Sequence, residues 1–222
     1  MVVAHEEQQL GDDARAEDAR ARAARTKRTR TRAALIAAAD SAFSARGWAA
    51  SRMEDIAAEA GVSPATAYNH FPTKHVLIGV VFGPLVATLL VQADRDIARQ
   101  RPVVDALSDQ IDALARLSYY HRGLTAAFTA AVLEYTVRTE HSPDPPGDLD
   151  PRVSVPLLDP LLRLIRHGQQ TGQLRPDPTA EEISSSIVSL LLLRSLNHKD
   201  ELPETTATLL KTLLFRTMTP AG

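Results

Sequence analysis

Residues 63–70, Ser-Pro-Ala-Thr-Ala-Tyr-Asn-His, carry hydroxyl, amide and imidazole groups where a buried helix would carry bulk. Such groups exchange hydrogen bonds with base edges and phosphates in the DNA major groove. The segment follows Gly61, and apolar residues at helical spacing precede that glycine. This spacing predicts two short helices joined by a tight turn, with the polar face of the second helix exposed.

The residues at the ends of these segments support the two-helix interpretation. Ser51 is predicted to cap the first helix, and Glu54 completes a capping box with it. Gly61 is predicted to end that helix in a left-handed conformation, because it has no Cβ to clash. Ser63 is the predicted N-cap of the second helix and Pro64 its first residue. Together the segments predict a helix-turn-helix unit, whose second helix enters the major groove.

Charge distribution favours DNA binding over the alternative, an ordinary corner between two helices. Residues 20–75 contain ten Lys or Arg and four acids, although the whole chain has a formal net charge of −2. Residues 1–19 contain one Arg and six acids. Positive charge therefore lies beside the candidate recognition helix. Lys and Arg at that place would neutralise DNA phosphates and release their counterions, which favours binding. The basic run over 20–32 is either a solvated helix start or an arm that reaches phosphates or the minor groove.

Residues 29–78 resemble the DNA-binding domain of the tetracycline-repressor (TetR) family of bacterial transcription regulators. The residues that carry the resemblance are Phe43, Arg46, Gly47, Trp48, Ser51, Met53, Asp55, Ile56, Ala57, Gly61, Val62, Ser63, Thr66, Tyr68, His70, Phe71 and Lys74. It implies an all-α fold of about nine helices, with an N-terminal three-helix DNA-binding domain and a C-terminal ligand-binding and dimerisation domain. The expected boundaries are a disordered, basic arm over 1–25, the helix-turn-helix domain over 26–75 and the second domain over 76–222.

The resemblance implies which residues contact DNA. In the family, the positions of Ser51, Tyr68, His70 and Lys74 touch phosphates, and those in 63–69 read bases. The predicted DNA-binding set is Arg30, Ser51, Arg52, Ser63, Pro64, Ala65, Thr66, Tyr68, Asn69, His70 and Lys74. Pro64 and Ala65 replace a commoner Lys-Gly pair, and Ala67 replaces a frequent Leu. Base preference and one phosphate contact are therefore expected to differ from the family pattern.

Helical periodicity continues through the rest of the chain without a strand pattern. Prolines and glycines predict helices over about 27–46, 74–100, 103–120, 123–139, 154–171, 179–197 and 204–218. The proline-rich stretch 140–152 is predicted to be a loop. Gly83-Pro84 lies inside the fourth helix, where the missing proline N–H predicts a kink or a break.

Apolar side chains on the fourth to seventh helices are candidates for a ligand pocket, since the resemblance implies one and such pockets are mostly apolar. The predicted lining is Phe82, Leu85, Leu89, Ile111, Leu114, Ser118, Phe128, Val132, Tyr135, Leu161 and Ile165. Most of these residues would serve equally well as ordinary core. Glu134 and Arg138 would reach the same region or form a surface ion pair. The implied effector is an apolar small molecule of unknown identity.

The last two helices have apolar stripes wider than one helix needs to cover its own core. An intrachain hairpin would explain part of this width, and the resemblance implies a two-fold homodimer built on a four-helix bundle. The predicted dimer interface is Ile183, Ile187, Leu190, Leu191, Arg194, Leu209, Leu210 and Leu213.

A regulatory mechanism follows from this arrangement as a hypothesis. Ligand binding would tilt the fourth helix, which begins at Lys74 beside the DNA-binding domain. Tilting changes the separation of the two recognition helices, whereas DNA half-sites have a fixed spacing, so a palindromic operator would be released. Gly83-Pro84 is the expected pivot. Repression is the family's usual mode.

Composition and missing motifs weigh against other classes. The chain has no cysteine, which excludes disulfides and Cys-ligated metals. Nucleotide-binding, zinc-protease and hydrolase motifs are missing, so no enzyme activity, cofactor or metal site is expected. His198, Asp200 and Glu201 lack the spacing of a helical metal site. No apolar run is judged long enough to span a bilayer and the N-terminus is polar, which predicts a cytoplasmic bacterial protein with no membrane partner.

Two alternatives remain at this stage. One is a helical small-molecule-binding protein with a non-specific or vestigial DNA domain, which would bind no particular duplex. The other is an architectural DNA binder without a ligand, which would bind duplexes but show no ligand-induced release.

Overall fold

The structure is a computed structural model, and it describes residues 2–139, 150–198 and 200–219, with side chains from Arg20 onward. Every regular element in these ranges is a helix. The helices are α1 (Val2–Ala50), α2 (Met53–Glu59), α3 (Pro64–His70), α4 (Lys74–Ala98), α5 (Val103–Tyr120), α6 (Arg122–Thr139), α7 (Pro151–Ser154), α8 (Asp159–Gln170), α9 (Ala180–Asn197) and α10 (Pro203–Met218). The predicted all-α fold is confirmed, with ten helices in the described ranges instead of about nine.

Helix α1 is longer than predicted. The sequence predicts a first helix from about residue 27 and a disordered arm over 1–25, but the backbone is helical from Val2. The local reason is composition, because residues 12–33 are rich in alanine and arginine, which are strong helix formers. Helical geometry is interrupted at Gly47, where φ is 74° and ψ is −177°. This left-handed glycine immediately follows the predicted helix end at residue 46.

The single helix predicted over 154–171 is two helices. The short helix α7 ends at Ser154, and α8 starts at Asp159. Pro156 explains the gap, because proline lacks an N–H and pushes the preceding residue toward extended backbone. Val155 is extended, with φ −117° and ψ 104°. Of the loop predicted over 140–152, residues 140–149 lie outside the described part of the chain, and Asp150 caps α7 by accepting the Arg152 N–H.

Helix α4 is the central helix of the larger domain, and it packs against α1, α5, α6, α7 and α8. It continues through Pro84, so the predicted break does not occur. The prediction that no apolar run could span a bilayer is wrong, because α4 is long and apolar enough by length and composition. Its inner side chains, among them Leu77, Phe82 and Val86, are buried in the protein core. Core packing accounts for its apolar character.

The buried side chains form one cluster that extends from the first three helices to α10. At its N-terminal end, Leu35 and Phe43 of α1 pack with Ile56 of α2 and with Phe71 after α3. Burying each such side chain stabilises the fold by about 1.5–3 kcal/mol. In the larger domain the rings of Phe82 and Phe128 stack, with centroids 4.4 Å apart and planes 9° apart. A rigid core therefore fixes the orientation of the short helices α2 and α3.

Candidate nucleic-acid interface and effector domain

The turn between α2 and α3 has the predicted geometry. Gly61 is left-handed, with φ 69°. The Ser63 hydroxyl caps α3 by accepting the Thr66 N–H at 3.2 Å, and Pro64 is the first helical residue. The observed range of α3, Pro64–His70, agrees with the predicted range. Local sequence therefore determines this element, because its cap, first residue and end are all encoded within it.

Helix α3 separates its buried face from its exposed face. Ala67 and the following Phe71 are fully buried and anchor α3 to the small core. The predicted base-reading residues on the other faces are exposed or half-buried: Ser63, Pro64, Ala65, Thr66, Tyr68, Asn69 and His70. The Thr66 hydroxyl lies 2.9 Å from that of Ser63. This surface offers hydroxyl, amide and imidazole groups to a duplex.

The predicted capping box at the start of α2 is wrong. Ser51 is fully buried, and its hydroxyl donates to the Gly47 carbonyl at 2.7 Å. The N-cap of α2 is Arg52, which makes no side-chain capping bond. Burial also removes Ser51 from reach of a phosphate in this structure, whereas Arg52 is exposed.

Glu54 bonds to the recognition helix instead of capping α2. The Tyr68 hydroxyl donates to the Glu54 carboxylate at 3.1 Å, and this hydrogen bond raises the pKa of Tyr68. The predicted phosphate contact of Tyr68 must therefore replace an existing bond. Glu54 also places a negative charge beside α3, which opposes the approach of DNA.

Lys74 binds the backbone between α1 and α2 and does not project freely from the surface. Its ammonium donates to the carbonyls of Trp48 at 2.8 Å and Ser51 at 3.1 Å. It also lies 3.9 Å from the Trp48 ring centroid, and burial lowers the pKa of Lys74. The predicted role as a free phosphate contact is corrected accordingly, because two of the three ammonium protons already bind the backbone.

Two basic residues of α1 extend the DNA-facing surface. Both belong to the basic run over 20–32, but neither is in the predicted DNA-binding set. The Arg32 guanidinium lies 4.4 Å from the Phe71 ring centroid, at the end of α3. Burial lowers the pKa of His70, and the charges of Arg28 and Arg32 lower it further. The predicted Arg30 is exposed, but at about 3.6 residues per turn it lies on the face opposite Arg28 and Arg32. The i, i+4 spacing of Arg28 and Arg32 was the available signal.

A contact between α1 and α6 joins the DNA-binding helices to the rest of the protein. The Trp48 indole N–H donates to the Glu134 carboxylate at 2.6 Å. The His75 ring lies 4.8 Å from the Trp48 ring and 5.3 Å from the Tyr135 ring. A Cβ added at Gly123 would lie 2.1 Å from the Ser44 carbonyl oxygen. We call the contact formed by Ser44, Trp48, His75, Gly123 and Glu134 the α1–α6 junction. Glu134 thus bonds to Trp48, an option that the sequence analysis did not consider.

Most of the predicted pocket lining is packed core. Six members are at most 2% exposed: Phe82, Ile111, Leu114, Phe128, Leu161 and Ile165. Their burial against one another corrects the prediction that they line an open pocket. Val132 and Tyr135 are half-buried. Leu85 and Leu89 line a groove between α4 and α5, and the buried Ser118 lines a cavity of about 30 Å³ beside α9 and α10.

The predicted dimer interface divides in the same way. Ile183, Ile187, Leu191 and Leu210 are buried within the chain, so they cannot contact a partner. Arg194 is half-buried and ion-pairs with Glu201. The remaining members, Leu190, Leu209 and Leu213, are half-buried or exposed, and Leu193 beside them is 47% exposed. The hairpin of α9 and α10 accounts for half of the stripe, because a two-helix pair must first cover its own core.

Helix α3 behind its glycine turn, with the arginines of α1 beside it, defines a helix-turn-helix DNA-binding domain. The family described as "Bacterial regulatory proteins, tetR family" matches residues 35–81. Residues 35–81 therefore form a DNA-binding domain of the TetR-family type. No curated protein sequence matches the chain.

Solved structures share the fold over most of its length. A TetR-family transcriptional repressor from Thermus thermophilus, FadR in complex with lauroyl-CoA, is 23% identical, with a TM-score of 0.64 over 83% of this chain and 91% of that chain. A putative TetR-family regulator from Rhodococcus sp. is 19% identical, with a TM-score of 0.63 over 86% and 100%. RolR in complex with resorcinol is 16% identical, with a TM-score of 0.57 over 86% and 88%.

Proposed function

We propose that the protein is a transcriptional repressor that binds a palindromic DNA operator as a homodimer and releases it when a small molecule binds. The observation that carries the DNA-binding part is the exposed polar surface of α3 beside Arg28 and Arg32. A rigid helix with short polar side chains reads base edges, and flanking arginines neutralise phosphates.

Dimerisation is supported by the apolar side chains that the chain leaves uncovered. Leu193 on α9 and Leu213 on α10 are exposed, and Leu190 and Leu209 beside them are only half-buried. A two-fold contact through this surface would pair the recognition helices with two half-sites. A single helix-turn-helix unit binds too few base pairs for a specific operator.

Ligand-induced release is supported by the fold's neighbours and by the junction. FadR of Thermus thermophilus is described with lauroyl-CoA and RolR with resorcinol, so related folds hold small organic molecules. In this chain the α1–α6 junction is the path by which movement of the larger domain reaches α3, since Trp48 bonds directly to Glu134. A ligand that favours one arrangement of α4 and α6 shifts the population toward it.

Fluorescence anisotropy with duplexes tiled across the DNA beside the protein's own gene tests this function. We expect tight binding to one near-palindromic segment, with a steep loss of affinity as salt rises. Asn69→Ala and Arg28→Gln should each weaken binding at least about tenfold. Arg99→Gln, which removes an exposed arginine after α4, is the matched control and should leave affinity unchanged.

Uniform weak binding to every duplex would contradict the proposal. It would favour the alternative of a helical small-molecule-binding protein with a non-specific DNA domain. Specific binding that no small molecule relieves would instead favour an architectural role without an effector.

A further inference from the structure

The groove between α4 and α5 is a surface that the DNA-binding role leaves unused. Its volume is about 380 Å³, within the range of roughly 300–1,000 Å³ typical of small-molecule sites. The lining residues are Pro84, Leu85, Thr88, Leu89, Ala113, Arg116, Leu117, Tyr120 and His121. One small organic molecule would fit this volume.

The groove is apolar at its base and basic at its rim. Leu85, Leu89 and Leu117 are buried or half-buried, while Arg116 and His121 are exposed. None of the nine lining residues is an acid. The nearest acid on α5, Asp112, ion-pairs with Lys211 at 2.8 Å. Arg116 therefore has no carboxylate partner among the described residues, and it favours an anion.

A buried hydrogen-bond acceptor lies beside the groove. Gln110 is on the same face of α5 as Ala113, one turn earlier, and its side-chain amide donates to the Leu89 carbonyl at 2.8 Å. Its Oε1 is buried and has no partner among the described residues. The hydrogen bond from Gln110 joins α5 to the α4 backbone at Leu89, which lines the groove, and so holds the two walls of the groove together.

We propose that this groove is the effector site and that the effector is an amphipathic anion. Its apolar body would lie on Leu85, Leu89 and Leu117, with its acidic group at Arg116. The inference depends on the proposed regulatory function. Pro84 lines the same groove and leaves one carbonyl of α4 without its helical donor, so an occupant would act where α4 is weakest.

Two fluorescent probes separate the charge from the apolar body. 1-Anilinonaphthalene-8-sulfonate carries a sulfonate, and N-phenyl-1-naphthylamine has the same ring system without it. Both should bind the purified full-length protein with enhanced emission. Arg116→Gln should weaken sulfonate binding about fivefold and leave the neutral probe unchanged. The matched control Arg99→Gln should change neither.

Filling the groove tests the location. Ala113→Trp should abolish binding of both probes while circular dichroism retains the helical signal. If that variant fails to fold, Thr88→Trp on the opposite, exposed wall provides the same test. Undiminished binding in the folded variant, equal losses in Arg116→Gln and Arg99→Gln, or a loss confined to Leu213→Gln on α10 would overturn the proposal.

A third arm separates this inference from the proposed function. With the operator duplex bound, the sulfonate probe should release DNA from the wild type but require about fivefold more probe with Arg116→Gln. If the protein binds the probe but binds no specific duplex, the proposed regulatory function fails and the groove is an anion site of another kind. Specific DNA binding without probe binding would overturn the groove assignment alone.

Discussion

The DNA-facing surface of α3 and the α1–α6 junction perform different tasks with different kinds of contact. Around α3, side chains such as Tyr68 and Asn69 project from a short helix into solvent. At the junction, Gly123 brings α6 against the Ser44 carbonyl, and Trp48 bonds to Glu134. Substitutions on the open surface should therefore change DNA affinity more than stability, and substitutions at the junction should do the reverse.

The largest expected effect is at the closest backbone approach of the junction. Gly123→Ala places a Cβ 2.1 Å from a backbone oxygen that cannot move alone, so α6 must shift away from α1. We expect the free energy of unfolding to fall by about 3 kcal/mol in urea denaturation. Gly83→Ala is the matched control, because nothing beyond its two chain neighbours lies within 4 Å of its added Cβ. The new Cβ meets only the Pro84 ring, so this substitution should destabilise the protein less than Gly123→Ala. Equal stability of the two variants would contradict the junction's role.

Lys74 gives the next largest effect and distinguishes the two regions directly. Lys74→Met keeps an apolar stem beside Trp48 but removes the donors to two carbonyls. We expect a loss of about 1–2 kcal/mol in the free energy of unfolding. Weaker DNA binding with unchanged stability would assign Lys74 to the DNA surface instead.

Glu54 tests the open surface. Glu54→Gln removes a negative charge beside α3 and keeps an acceptor for the Tyr68 hydroxyl. DNA affinity in fluorescence anisotropy should rise about threefold, with little change in stability. Asp94→Asn, which removes an exposed acid of α4 far along the chain from α3, should leave DNA affinity unchanged. Reduced affinity in Glu54→Gln would mean that the carboxylate positions Tyr68 for DNA.

The smallest expected effect is a pH dependence centred on His75. Burial, reinforced by the Arg138 charge, lowers the pKa of His75 below 6.5, while Glu134 and Asp150 oppose this shift and Lys74 adds to it. The unfolded chain then binds the proton more readily than the folded protein. The contribution of neutral His75 to the free energy of unfolding is therefore fully present above pH 6.5. It is lost as the pH falls below that value toward the lower pKa of the folded protein.

His75→Gln is the variant that tests this pH dependence. It should reduce the stability difference between about pH 7.5 and about pH 5.5, measured by urea denaturation. The matched control is His121→Gln, at an exposed position. Parallel profiles for the wild type and His75→Gln would show that the junction does not sense the proton.

Helix α3 was predictable because the residues that define it are close together in sequence. The α1–α6 junction was not, because it joins residues that are far apart in sequence. The caps, glycines and prolines around α3 act within a few residues, so its range follows from sequence alone. The sequence predicts Ser51 as a cap because Ser51 and Glu54 have the three-residue spacing of a capping box. In the structure its hydroxyl bonds to Gly47 instead, since the left-handed turn at Gly47 folds the chain back on itself. The core and the pocket candidates were likewise indistinguishable in sequence, because both are apolar stripes.

The amino-acid sequence by itself determined the all-helical class, the helix-turn-helix unit and the family resemblance of the DNA-binding domain. Helix periodicity, capping residues and the motif around residues 51–74 are all local properties. Tertiary structure alone decided which apolar residues are core and which remain on the surface. It also paired Trp48 with Glu134 across 86 residues and set Arg32, not Arg30, beside α3. These outcomes depend on which helix faces meet, and that choice is made by packing of the whole chain.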